Sequence, residues 1–179
     1  MEKITQTKNR LKKIAIVGPE STGKTYLAEA LANHFDTVWV PEYARDYLTE
    51  INRPYTKDDL QIIALEQLNM EEKLSKRAKK ILICDTTLLV IKIWSEYKYG
   101  HCEEWIINEV NSRYYNLHIL TYIDTPWEDD PQREHPHKRE FFYDLYYREL
   151  HRLGVDFIEV KGSSLERYDQ SVSAVYALL

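Results

Sequence analysis

Eight consecutive residues carry the strongest chemical signal in the sequence: Gly18-Pro19-Glu20-Ser21-Thr22-Gly23-Lys24-Thr25. Gly18 and Gly23 let the backbone curl so that successive N–H groups point inward, a shape that cradles phosphate oxygens. Lys24 supplies a point charge for the β- and γ-phosphates, and Thr25 offers a hydroxyl ligand to Mg²⁺. Glu20, Ser21 and Thr22 complete the loop around the nucleotide. An apolar run, Lys12 to Val17, leads into the loop, and a run with helical spacing, Lys24 to Phe35, leads out. The positive end of that helix faces the same anions. The pattern predicts a site for a nucleoside triphosphate, taken as ATP, with its Mg²⁺.

Asp85 ends the apolar run Ile81 to Cys84, where an acid has no packing reason to be. A carboxylate there can hold Mg²⁺ or act as base on an acceptor hydroxyl. The plain alternative is a helix N-cap. Thr86 follows, where a water-activating motor ATPase carries glutamate. No Asn-Lys-x-Asp segment that reads guanine is present. Both features favour phosphoryl transfer to a small acceptor over hydrolysis.

These residues need elements to position them. Short apolar runs at 12–17, 37–40, 81–84, 117–123 and 157–160 read as buried strands. Helical spacing is expected over 24–35, 42–50, from Thr56 or Asp58 to about 78, from Thr86 or Thr87 to 97, and over 103–114, 139–153 and 165–179. Strands alternating with helices predict an α/β fold of three layers: about five mostly parallel strands with helices on both faces. Residues 1–10 are expected to form a tail and 11–179 a single domain. The charged, proline-containing stretch at about 125–139 is too long for a simple connection and reads as a lid.

In such a sheet, ligands bind beyond the C-terminal strand ends. Glu42, Tyr43 and Arg45 follow the second strand, Asp85 the third, and Asp124, Trp127, Asp129 and Asp130 the fourth. Glu42 and Arg45 share a helix face and can receive sugar hydroxyls or steer a phosphoryl group; an exposed ion pair is the plain alternative. Trp127 can cover a flat base, or simply pack its loop. Arg133 and Arg139 can close over the phosphates and stabilise the charge of the transferred group, against the plain reading of a solvated loop. His135 and His137 have no partners with which to complete a metal site.

The totals narrow the classes. A net charge of −5 argues against an electrostatic nucleic-acid binder. Two cysteines, without metal-ligand spacing, fit a reducing compartment. No signal-like start or membrane-length apolar run is present, so the expected location is cytoplasmic and no membrane partner is expected. Tyrosine is plentiful at 14 residues and mostly fills half-buried helix faces.

The set Gly18 to Thr25, Pro41-Glu42-Tyr43-Ala44-Arg45, Cys84-Asp85-Thr86 and Asp124-Thr125-Pro126-Trp127-Glu128-Asp129-Asp130 with Arg133 resembles the NadR-type ribosylnicotinamide kinase domain of the P-loop NTPases. The resemblance runs from about Lys12 onward and includes Ser164-Leu165-Glu166-Arg167-Tyr168. It implies ATP- and Mg²⁺-dependent conversion of nicotinamide riboside, or a related nucleoside, to its mononucleotide. It further implies Lys24 and Thr25 on phosphate and metal, and Asp85 as the catalytic carboxylate. Glu42, Arg45 and Asp129 would hold ribose or phosphate, and Trp127 the pyridine ring. Thr87 departs from a second acid common in the family, and Pro131 from a glycine. The family often adds an adenylyltransferase and a DNA-binding module, so a stand-alone kinase domain is the expectation. Two other classes stand beside it: a nucleotide hydrolase, and a nucleotide-dependent regulatory protein without a small-molecule acceptor.

Overall fold

In the computed structural model, residues 11–179 are described, and the expected tail of residues 1–10 lies outside the described residues. Five strands, β1 (Lys12–Val17), β2 (Trp39–Val40), β3 (Ile81–Asp85), β4 (Leu117–Thr121) and β5 (Phe157–Val160), pair in the order β2-β3-β1-β4-β5. Every pairing is parallel. Seven helices connect or follow them among the described residues: α1 (Lys24–His34), α2 (Tyr43–Ile51), α3 (Lys57–Ser75), α4 (Leu88–Tyr99), α5 (Glu104–Ser112), α6 (Arg139–Leu153) and α7 (Ser164–Tyr176).

Strand alternation sorts the core into two faces. Ile14, Ile16, Ile83 and Ile119 pack with Leu27 and Leu31 of α1 and Val175 of α7. Val17 and Leu120 point the other way, toward Leu60 and Ile63 of α3, Leu88 to Ile91 of α4 and Tyr146 of α6. Burying a side chain of this size contributes about 1.5–3 kcal/mol, which is why the strands read as unbroken apolar runs. No described helix is long and apolar enough to cross a membrane.

The expected elements are all present, with shifted ends. β2 begins at Trp39, not Thr37. Thr37 is used elsewhere: its N–H donates to Ala32 and its hydroxyl to the Ile81 carbonyl at 2.6 Å. Thr56, rather than Asp58, caps α3 in a reciprocal pair with Asp59, and Thr87 caps α4. β4 stops at Thr121 and α7 at Tyr176. Residues 125–138 hold no helix or strand.

Candidate active site

The loop after β1 takes its shape from close packing. Gly18 has φ 145°, and a Cβ there would collide with the Thr121 hydroxyl and lie 2.9 Å from the Thr121 carbonyl oxygen. Only glycine fits that approach. Gly23 adopts the left-handed region at φ 78° and opens α1, while Ser21, at φ 55°, is a non-glycine residue there. Thr22, buried, donates to the Pro19 carbonyl at 2.8 Å and shares a 2.7 Å bond with the Thr121 hydroxyl.

Lys24 Nζ lies inside this loop and donates to the Pro19 carbonyl at 2.7 Å. Burial lowers its pKa, with Glu42, Asp85 and Glu20 pulling the other way. Parallel pairing sets Asp85 opposite Ile16, one strand from the loop. Its Oδ2 accepts the Thr25 hydroxyl at 2.6 Å. Its Oδ1 is buried without a hydrogen-bond partner among the described residues, and burial raises its pKa. A hydroxyl beside an orphaned carboxylate oxygen is an all-oxygen donor pair, and it fits Mg²⁺, which takes one or two protein oxygens and completes its shell with phosphate and water. No group of three or more His, Cys, Asp or Glu among the described residues can cage a metal alone.

A cavity of about 490 Å³ opens over the loop. Its far end is lined by Glu42, Ala44 and Arg45 of the β2–α2 junction, Val90 and Trp94 of α4, and Phe142 and Tyr146 of α6. Glu42 starts α2 without capping it, so its carboxylate is free to face the cavity. Burial raises its pKa, and Lys24 is the main opposing charge. Arg45 stands 3.8 Å from Glu42 and donates to Asp130 at 2.8 Å. That hydrogen bond leads the causes that hold the Asp130 carboxyl below its usual range.

The lid segment is tied to the loop as well as to α2. Ser21 Oγ accepts the Glu128 N–H at 2.9 Å and the Arg133 guanidinium at 3.3 Å. Glu20 accepts the N–H groups of Glu134 and His135 at 3.4 and 3.2 Å. Gln132 donates to the Arg45 carbonyl and the Thr49 hydroxyl.

Gly18 to Thr25, Glu42, Arg45 and Arg133 therefore line one cavity. Asp85 reaches it through Thr25, and Asp130 through Arg45. Tyr43, Trp127, Asp129 and Arg139 lie outside the lining as well. Tyr43 turns toward α3, its N–H bonded to Gln67 and its ring 6.0 Å from that of Tyr47. Trp127 donates to Asp129 at 2.9 Å, and both stay outside the cavity wall. Arg139 is bound to the Thr125 carbonyl and hydroxyl and to the Ser21 carbonyl, outside the wall. Trp94, Phe142 and Tyr146 line the cavity unforeseen. They sit on helices whose apolar spacing reads as core, and the sole hint was an excess of aromatics on α4 and α6.

A five-stranded parallel sheet, a phosphate loop between β1 and α1, and an acid at the end of the neighbouring β3 together define a P-loop NTPase with a kinase-like fold. The chain belongs to the AAA domain family, which it matches over residues 13–167. It is 28% identical over 161 residues to the trifunctional NAD biosynthesis/regulator protein NadR of Salmonella typhimurium (strain LT2), covering 86% of this chain and 39% of that protein. The chain thus spans about two fifths of that relative's length. Among solved structures it is similar to the NadR protein in complex with NR, with a TM-score of 0.78 at 19% identity over 93% of this chain and 51% of that one. It is also similar to thymidylate kinase from Ehrlichia chaffeensis, with a TM-score of 0.63 at 14% identity over 94% of this chain and 99% of that one.

Proposed function

We propose that this chain is a single kinase domain that transfers the γ-phosphoryl group of ATP to a hydroxyl of a nucleoside-like acceptor, with nicotinamide riboside the leading candidate. The observation that carries this reading is the shared cavity. Its phosphate loop faces a half-buried carboxylate, Glu42, that caps no helix, with Lys24 as its main opposing charge. A hydrolase needs room only for water, whereas about 490 Å³ accommodates a nucleotide's phosphates and a second small molecule.

In this mechanism the loop N–H groups and Lys24 hold the β- and γ-phosphates. Thr25 and Asp85 would hold Mg²⁺, which when bound neutralises charge on the phosphate oxygens. Glu42 takes the proton of the acceptor hydroxyl as the new O–P bond forms and the bond from phosphorus to the ADP oxygen breaks. Its raised pKa strengthens it as a base. Arg45 orients Glu42, and Arg133 stands ready to stabilise the spreading charge. Of the two roles open to Asp85, base or metal anchor, this reading takes the anchor, because Asp85 lies beside the Thr25 hydroxyl, and it gives the base to Glu42. The acceptor's ring is assigned to Trp94 and Phe142 in place of Trp127. Behind them a smaller chamber of about 110 Å³ has Tyr55 and Tyr97 in its walls. Flat rings stack on such faces.

The test is an acceptor screen with purified protein, ATP and Mg²⁺. Mononucleotide and ADP should form in equal amounts from nicotinamide riboside. Steady ADP release independent of every acceptor would instead identify a hydrolase, and tight ATP binding without turnover a nucleotide-sensing protein.

A further inference from the structure

Arg167, on the first turn of α7, is 4% exposed and far in sequence from the phosphate loop. Its guanidinium makes four hydrogen bonds. Nε donates to the Gly162 carbonyl at 2.9 Å, Nη1 to the Thr22 carbonyl at 2.9 Å, and Nη2 to the Tyr122 carbonyl at 3.0 Å and to Asp124. A guanidinium has five N–H donors in a fixed plane, so four of the five are committed to the protein. Asp124 also offsets the charge, and Arg167 helps hold that carboxyl below its usual range. An arginine so engaged is not a free phosphate ligand, although it borders the cavity.

The partner on Nη1 is the informative one. In a trans peptide the C=O and the following N–H point in opposite directions. Holding the Thr22 carbonyl toward α7 therefore turns the Gly23 N–H toward the interior of the loop. Arg139 does the same one peptide earlier, donating to the Ser21 carbonyl at 3.1 Å, a bond reinforced by the Thr125 hydroxyl at 2.7 Å. Two consecutive carbonyls are drawn outward by two guanidinium groups. The two following N–H groups, of Thr22 and Gly23, are thereby directed into the curl that would meet phosphate.

We infer that Arg167 is a positioning residue: from behind the loop it fixes the Thr22–Gly23 peptide plane so that the Gly23 N–H is presented to the bound polyphosphate. This rests on the reading that the loop holds a triphosphate. It assigns a role to the Arg167 segment of the sequence resemblance. It also predicts a pattern that a purely structural role would not give, and the four committed donors already set a direct ligand contact aside. Loss of Arg167 should weaken ligands in proportion to their polyphosphate, and spare those without it.

The test compares Arg167→Met and Arg167→Lys with wild type by calorimetric titration of the full chain with Mg²⁺–ATP, inorganic tripolyphosphate and AMP, below each variant's melting temperature. The Met variant should lose about tenfold or more in affinity for both ATP and tripolyphosphate, the equivalent of one charge-assisted hydrogen bond. AMP affinity and the acceptor KM should change less than about twofold. Lysine keeps the charge opposite Asp124 but not the planar fork, so that variant should stay folded and recover part of the loss. Unchanged ATP and tripolyphosphate affinity in a folded Lys or Met variant overturns the inference, as does an equal loss for AMP. If wild type itself binds neither ATP nor tripolyphosphate, the kinase reading fails and the inference with it, an outcome distinct from variants that match an active wild type.

Discussion

Replacing Glu42 by glutamine separates the two carboxylates near the phosphate loop. The amide keeps the size of the side chain and an oxygen within reach of Arg45, which stands 3.8 Å from the native carboxylate. The ability to take a proton is lost, and with it the charge that offsets Lys24 and Arg45. A positioned proton acceptor contributes roughly 10²–10⁴-fold to a transfer step, so kcat should fall by about that factor, or about 3–5 kcal/mol of barrier. The Mg²⁺–ATP KM should change far less than kcat, since Asp85 and Glu20 still offset the Lys24 charge. Asp85→Asn should behave differently. It removes the charge beside the Thr25 hydroxyl, so its defect should shrink as Mg²⁺ is raised, whereas the Glu42→Gln defect should not. The pH profile adds a third mark. Burial raises the Glu42 pKa above its ordinary value of 4.5. The unprotonated base therefore appears only at higher pH, and the acid limb of kcat should lie above that value and vanish in Glu42→Gln. Coupled ADP assays across Mg²⁺ and pH measure all three. If Glu42→Gln retains kcat within about fivefold while the Asp85→Asn defect ignores Mg²⁺, Asp85 is the base and the assignment is wrong.

Other expectations follow from the same geometry. Trp94→Ala should raise the acceptor KM about tenfold or more, because base–aromatic stacking is worth about 1–3 kcal/mol, whereas Trp127→Ala should leave it nearly unchanged; steady-state kinetics on the two variants decide. Gly18→Ala should abolish ATP binding and lower the melting temperature, since the added carbon meets Thr121 at contact distances no side-chain shift relieves; calorimetry reports both. His118 on β4 is 4% exposed, its Nδ1 has no hydrogen-bond partner among the described residues, and burial pushes its pKa down to about 4 from 6.5. The folded state rejects a proton that the unfolded chain accepts, so stability should fall as pH drops from about 6.5 toward 4, by roughly 3 kcal/mol in all. Stability from urea unfolding at pH 7 and 4.5 should show about 2.4 kcal/mol of that loss in wild type and lack it in His118→Gln.

Much of the architecture is legible because a parallel sheet covered on both faces leaves no polar alternation in its strands. Ile14 to Val17 and Ile81 to Cys84 are wholly buried, and so they read as unbroken apolar runs. The phosphate loop is legible because its chemistry is local: eight adjacent residues set its curl, its charge and its hydroxyl. Strand ends blur where a side chain finds another use, as Thr37 does. The aromatic end of the cavity resists reading for a different reason. Trp94 and Phe142 satisfy helical core spacing, and only the packing of α4 against α6 shows that these faces border a cavity.

The roles of the charged residues depend on the strand order. With β3 beside β1, Asp85 falls next to Thr25 and is drawn into the hydroxyl pair. With β2 beyond β3, Glu42 arrives one strand further out, past the metal pair and opposite Lys24. In the proposed mechanism, proximity to the loop would mark the anchor, and distance the base. The arginines sort in the same way. Arg133 and Arg139 look alike along the sequence, yet Arg133 bonds Ser21 through its hydroxyl and lines the cavity, while Arg139 bonds the Ser21 carbonyl from outside. With Arg167 on the next carbonyl, two of three arginines act on the loop's shape and one is left for the transferred charge. A loop of such tight geometry needs its outward carbonyls held. Charged donors serve there better than neutral ones, because their bonds are roughly twice as strong.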